Sequence, residues 1–177
     1  MISLFAMLWV SAIFFGIIGM MRGWSKEIIA TAGIVLATFV LFQSDSLLRG
    51  LFLSRISRDQ AFLVQMGIFA AIIYLAYRSR TVAEDRTQAR PSRFQNAVLG
   101  AVIGAVNGYL MWGAIWYFLD VNEYPLAPLV TAPQPGSVTD QLLNAIPLVL
   151  LGGGAGGGGE LFIITLIFLF LLVLFLV

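Results

Sequence analysis

Five predominantly apolar stretches dominate the chain: Ile2 to Met21, Trp24 to Phe42, Ala61 to Tyr77, Ala97 to Leu119 and Leu161 to Val177. Each is apolar on every side rather than in alternation, so the pattern predicts helices and not barrel strands, whose lumen-facing positions would be polar. At the 1.5 Å rise of an α-helix the stretches reach roughly 25 to 35 Å, which matches a hydrocarbon core of about 30 Å. In lipid every backbone N–H and C=O must find its partner inside the protein, and a helix satisfies its own. The predicted fold class is therefore all-α, a polytopic transmembrane helical bundle of four core helices plus a C-terminal fifth. Three parts follow from this pattern: a membrane core over residues 1–120, a Pro/Gly-rich extracytoplasmic linker over 121–160, and a transmembrane helix over 161–177.

The polar segments between these stretches differ in kind. The first connection is only a hairpin tip, Arg22-Gly23-Trp24-Ser25-Lys26-Glu27. Arg78 to Arg93 is the most charged segment, with five arginines against Glu84 and Asp85; it reads as a solvated loop or as a contact for anionic headgroups or a partner. After Tyr124, the residues Pro125, Pro128, Pro133, Pro135 and Gly136 forbid a regular helix. Ser137 followed by Asp140 has the form of a capped start, and Val138, Leu142, Leu143 and Ile146 would line one face of a short interfacial helix that Pro147 stops. Seven of the eight residues 152–159 are glycine, the composition of a flexible tether. This run lacks the Lys and Ser/Thr of a phosphate-binding loop. The last stretch has no small residue to admit a close helix contact, and it predicts a lipid-facing anchor on a loose leash.

Composition agrees with this picture: 60% of residues are hydrophobic and 11% charged, far from the balance of a water-soluble domain. Cys and His are both absent, which removes disulfides, thiolate chemistry, Cys/His metal ligation and the commonest general base. No catalytic constellation or cofactor motif is visible, and the chain is expected not to be an enzyme. The first stretch has no basic residue before it and meets Arg22 instead of a small-residue cleavage site, so it is expected to stay as a membrane helix.

Charge sets the expected orientation. Placing the first and third connections in the cytoplasm puts Arg22, Lys26, Arg78, Arg80, Arg86, Arg90 and Arg93 inside and leaves Arg49, Arg55 and Arg58 outside. The positive-inside rule then puts the N-terminus outside. Trp24, Tyr74 and Tyr77 would sit at the inner interface, and Trp116, Tyr117 and Tyr124 in an aromatic belt at the outer one.

Gly100, Gly104 and Gly108 recur every four residues in the fourth stretch, and Gly16, Gly19 and Gly23 mark the first. Lipid offers no hydrophobic force between helices, so such ridges matter by letting backbones approach. The expected outcome is packing of helix four against helices one and two, with self-association or docking to another membrane protein as the alternative. No ionisable group lies mid-helix, which disfavours an active transporter. The buried polar candidates are Ser11, Thr31, Thr38, Gln65, Asn107 and Thr165. Asn107 is expected to face a neighbouring helix or a wet cleft, and Arg22 and Glu27 to anchor the interface, to pair with each other or to contact the basic segment before helix four.

The hairpin tip, an Arg-Gly followed by an aromatic and by Glu27 four after Gly23, resembles the CvpA family of bacterial inner-membrane proteins, as do Val98-Leu99-Gly100, Gly104 and Gly108 leading to Phe118-Leu119-Asp120. The resemblance covers Ile2 to Asp120 and makes Arg22, Gly23, Glu27, Asn107 and Asp120 the motif positions. Family members usually carry an acid and a base before the Leu-Gly and an Arg before the last Gly; here those positions are Asn96, Ala97 and Asn107. The resemblance implies a four-helix inner-membrane core linked to toxin (colicin V) production or export and to envelope maintenance. An accessory subunit of a respiratory or photosynthetic complex and a small passive channel remain open beside it. The expected partners are the lipid bilayer and a membrane protein or a second copy, and not nucleic acid.

Overall fold

The computed structural model describes residues 3–51, 56–78, 92–143, 145–152 and 160–176. The described residues form helices and turns, with no strand among them. Four helices are long and apolar enough to cross a membrane: α1 (Leu4–Arg22), α2 (Trp24–Leu51, apolar over Trp24–Gln43), α3 (Arg58–Arg78) and α4 (Arg93–Val121). Two short helices follow, α5 (Val138–Leu143) and α6 (Pro147–Gly152), and then the apolar α7 (Glu160–Leu176). The molecule is a helical membrane bundle. The charged run after Arg78 and the glycine run after Gly152 fall largely outside the described residues.

The helix ends follow from local chemistry. Ser3 accepts from the Ala6 N–H to start α1, and Ser92 with Gln95 closes a reciprocal capping box on α4. Between α1 and α2 lies one residue, Gly23, at φ +83°, in the left-handed region that glycine enters without strain. Its N–H still reaches the Gly19 carbonyl at 2.9 Å, so the chain turns a corner without leaving α1's last turn unpaired.

The core is organised by α4 and α2. α1 lies along α4, α4 along α2, and α2 carries α3 and α7 on its other sides. The α1–α4 seam is made by glycine. A Cβ at Gly19 would strike the Gly100 carbonyl, one at Gly104 the Phe15 carbonyl, and one at Gly108 the Ser11 carbonyl. Ser11 Oγ donates to the Gly108 carbonyl at 3.0 Å and adds a bond across the same seam. The α2 face toward the core presents Ile34, Val35 and Leu41, while α3 contributes Phe62 and Phe69, the latter edge-on to Phe118 of α4.

Three expectations are corrected by this packing. Pro147 does not stop a helix but opens α6, the first-turn position where its missing N–H costs nothing. Val138 points away from the face assigned to it and is 68% exposed, while Leu142, Leu143 and Ile146 do pack inward. α7 is not wholly lipid-facing: Phe162 is buried against Phe39 and Phe42 of α2, at ring-centroid separations of 5.9 and 5.4 Å. Interlocking rings make the close contact that small residues make elsewhere, and Gly152 of α6 leaves room for the Phe42 ring.

The end of α4 also departs from the belt expected there. Trp116 is fully buried, with its Nε1–H reaching the Tyr124 hydroxyl at 3.4 Å. Glu123 and Tyr124 both take left-handed backbone, at φ 57° and 54°, and return the chain over the end of α4. Tyr124 N–H is held on the Leu119 carbonyl at 2.7 Å, and Glu123 forms an ion pair with Arg58 at the start of α3.

Candidate functional site

The site lies where α1, α2, α3 and α4 converge. Glu27 is in the first turn of α2, and its side chain is fully buried rather than displayed at the hairpin tip. An anion near a helix N-terminus is favoured by the backbone dipole, but a buried carboxylate needs explicit partners as well. It has one from each of the other three helices. Arg22 of α1 donates from Nη1 to Oε1 at 2.6 Å, Asn107 of α4 donates from Nδ2 to Oε2 at 2.8 Å, and the Tyr77 hydroxyl of α3 lies 3.5 Å from Oε2.

A second tier fixes the donors. Arg22 donates from Nη2 to the Tyr77 carbonyl at 3.2 Å, and its guanidinium lies over the Tyr77 ring, 4.4 Å from the centroid. The Asn107 amide also donates to the Glu27 carbonyl at 3.1 Å, and its oxygen accepts from Thr31 Oγ1 at 2.7 Å. Thr31 stands one helical turn after Glu27 and contacts the Glu27 carbonyl as well, at 2.8 Å. Arg22 keeps 22% of its side chain exposed, and Thr31 and Tyr77 are partly buried, while Glu27 and Asn107 are fully buried.

Of the motif positions, Arg22, Glu27 and Asn107 share one hydrogen-bonded cluster, and Gly23 supplies the corner that lets Arg22 and Glu27 face each other. Asn96 sits above that corner: its Oδ1 accepts from the Trp24 N–H at 3.3 Å, and a Cβ on Gly23 would meet its amide at 2.8 Å. Asp120 lies at the other end of α4, exposed, where its carbonyl accepts from the Glu123 N–H at 2.9 Å. The glycines Gly19, Gly100, Gly104 and Gly108 form the seam that sets the α1–α4 distance, and hence the span from Arg22 to Asn107.

Two participants, Tyr77 and Thr31, were not tied to this site by sequence. Glu27 and Thr31 at i and i+4 share a helix face, which is the signal that links them; nothing in the sequence of α3 singles out Tyr77 over Tyr74. A second buried pair lies near the opposite end, where Asn122 Nδ2 donates to Gln65 Oε1 at 2.7 Å and to the Phe118 carbonyl at 2.7 Å. No group of three or more acidic residues suited to hold a metal ion occurs among the described residues.

Fold and site together define a polytopic helical membrane protein whose four core helices are tied through one buried carboxylate. The family model for the colicin V production protein matches residues 6–132, from α1 through the turns after α4, and the chain belongs to that family. No curated protein and no solved structure matches the chain.

Proposed function

We propose that the chain is a non-enzymatic protein of the bacterial inner membrane, N-terminus outside, that serves toxin production or export, or envelope maintenance, through helix packing and contacts with other membrane proteins. The family match over residues 6–132 is the observation that carries this reading. The geometry of the buried cluster supports it. Both oxygens of the Glu27 carboxylate are engaged by the chain's own side chains, an arrangement suited to locking helices together rather than to turning over a substrate.

The test is genetic. In a host that secretes a colicin V-type peptide, deleting the gene for this chain is expected to lower secreted toxin activity, and a plasmid copy restores it. Unchanged secretion and unchanged envelope sensitivity to detergent in the deletion strain would overturn the proposal. Stoichiometric co-purification with a respiratory or photosynthetic complex would select the accessory-subunit reading in its place.

A further inference from the structure

Away from the Glu27 cluster, α1, α4 and the α5 segment line an open cleft of about 480 Å3. Its lining includes Ala12 and Ala105, small residues at the α1–α4 seam, the larger Trp9 and Val106 of the same two helices, and Leu142 and Ile146 from the segment after α4. The one hydroxyl in it, that of Tyr109, is spent on the Ala145 carbonyl at 2.6 Å. Apart from the Trp9 indole N–H, the side chains that line it are then apolar. A cleft of that size with an apolar lining is suited to a hydrocarbon chain.

Directly beyond it along the same two elements lies a cup of about 320 Å3. Leu4 lines the cup and Phe5 the cleft, consecutive residues of α1; Thr139 lines the cup and Leu142 the cleft, both on α5, and Ser137 just before α5 also lines the cup. The cup is edged by Thr131, Gln134 and Thr139, whose hydroxyls and amide are hydrogen-bonding groups without charge. Thr131 and Ala132 also line an adjoining recess that contains Asp120 and Glu123. Among the described residues no lysine or arginine lines the cleft, the cup or the recess. Arg58 pairs with Glu123 at the edge of the recess, so the carboxylate the recess offers an ammonium is that of Asp120, beside the uncharged acceptors of the cup.

We propose that the cleft and the cup form a binding site for one phospholipid, its hydrocarbon chain lying along Trp9, Ala12 and Val106 and its zwitterionic, ammonium-bearing headgroup held by Thr131, Gln134 and Thr139 beside Asp120. A chain on a convex helix touches one surface only; here it touches α1, α4 and the α5 segment together, which distinguishes it from the lipid that coats the rest of the bundle.

The full chain is placed in nanodiscs of equal phosphatidylethanolamine, phosphatidylglycerol and phosphatidylcholine, released in mild detergent and examined by native mass spectrometry. One phosphatidylethanolamine is expected to stay bound in preference to either other lipid by about tenfold, the scale that a charge-assisted hydrogen bond supplies. Val106→Trp, at a position 46% exposed, fills the cleft and is expected to abolish retention. Gln134→Ala with Thr139→Ala is expected to keep a lipid but lose the preference. Phosphatidylethanolamine carrying a diazirine in its chain is expected to label residues 5–12 and 102–109 above the exposed α3 face at Leu63 and Leu75. Equal retention of the three lipids, equal labelling of α3, or a lipid-free dimer in place of the lipid-bound protomer would each overturn the proposal. Should Val106→Trp fail to fold, the labelling of the unaltered protein decides alone.

Discussion

Glu27 shows what a single ionisable group contributes when lipid replaces water around a bundle. Removing one member of a buried ion pair leaves the other charge uncompensated, at about 3 to 5 kcal/mol, whereas removing both charges is far milder. Arg22 is partly exposed, so Arg22→Ala is expected to destabilise the protein by about 2 to 3 kcal/mol. Combining it with Glu27→Gln is expected to recover much of that loss, and thermal unfolding in detergent measures both. Additive losses would show that the pair is not coupled. Tyr124 carries a second residue-scale prediction. Burial pushes its hydroxyl up from the usual value near 10 to about 12. Because the folded value is the higher one, the stabilisation from the neutral phenol is fully present below pH 10 and is lost as pH rises through 12. Tyrosinate absorbance during alkaline titration is expected to lose a component near pH 12 in Tyr124→Phe. The pairing of Arg22 with Glu27 was legible in sequence as an alternative to interface anchoring, since both flank the same corner. The depth of Glu27 was not, because it depends on α3 and α4 closing over the hairpin, a long-range event with no local signature.

At the scale of elements, the seam between α1 and α4 is set by how near two backbones come. No room exists for a side chain at Gly104, where even a Cβ would overlap the Phe15 carbonyl and meet Gly19 Cα at 2.9 Å. Gly104→Leu is therefore expected to cost about 3 kcal/mol or more and to broaden or abolish the monodisperse peak in detergent size exclusion. Leu110→Ala, on the same helix but only partly buried, is expected to cost about 1 kcal/mol and to keep that peak. Similar mild effects for both would mean that the helices can separate without penalty. Four-residue spacing of glycine was enough to read this seam from sequence, since spacing alone puts Gly100, Gly104 and Gly108 on one ridge. It gave no access to the α2–α7 contact. Phe39, Phe42 and Phe162 look like any lipid-facing aromatics until their rings are seen to interlock, and ring packing carries no periodic mark that separates it from exposure to lipid tails. The short helices behaved similarly: Ser137 Oγ does accept from the Asp140 N–H at 3.1 Å, as the capping pattern predicts, but whether a proline ends a helix or begins the next depends on what it packs against, here Gly113 of α4.

For the whole molecule, the bundle separates two polar ends. Arg22, Tyr77 and Asn96 gather at one, with Asn96 over the Gly23 corner and Arg22 bonded to the Tyr77 carbonyl. At the other, the Trp112 indole donates to the Leu4 carbonyl at 3.0 Å, Arg58 pairs with Glu123, and α6 packs against α4. Lys and Arg next to membrane helices resist translocation, so the end that carries Arg22, Lys26, Arg78 and Arg93 is expected in the cytoplasm and the α5 end outside. The chain has no cysteine, which makes any introduced thiol a unique reporter. In intact cells, a membrane-impermeant maleimide is expected to label Ala132→Cys, an exposed position after α4, and to spare Gln88→Cys until the membrane is broken. Gln88 precedes α4 in the sequence and Ala132 follows it, so a bundle in which α4 spans the membrane must give opposite answers at them. Labelling of both in intact cells would deny that α4 crosses. Labelling of Gln88→Cys alone would keep the bundle and invert it, turning the Glu27 cluster toward the outside and the polar cup toward the inner leaflet.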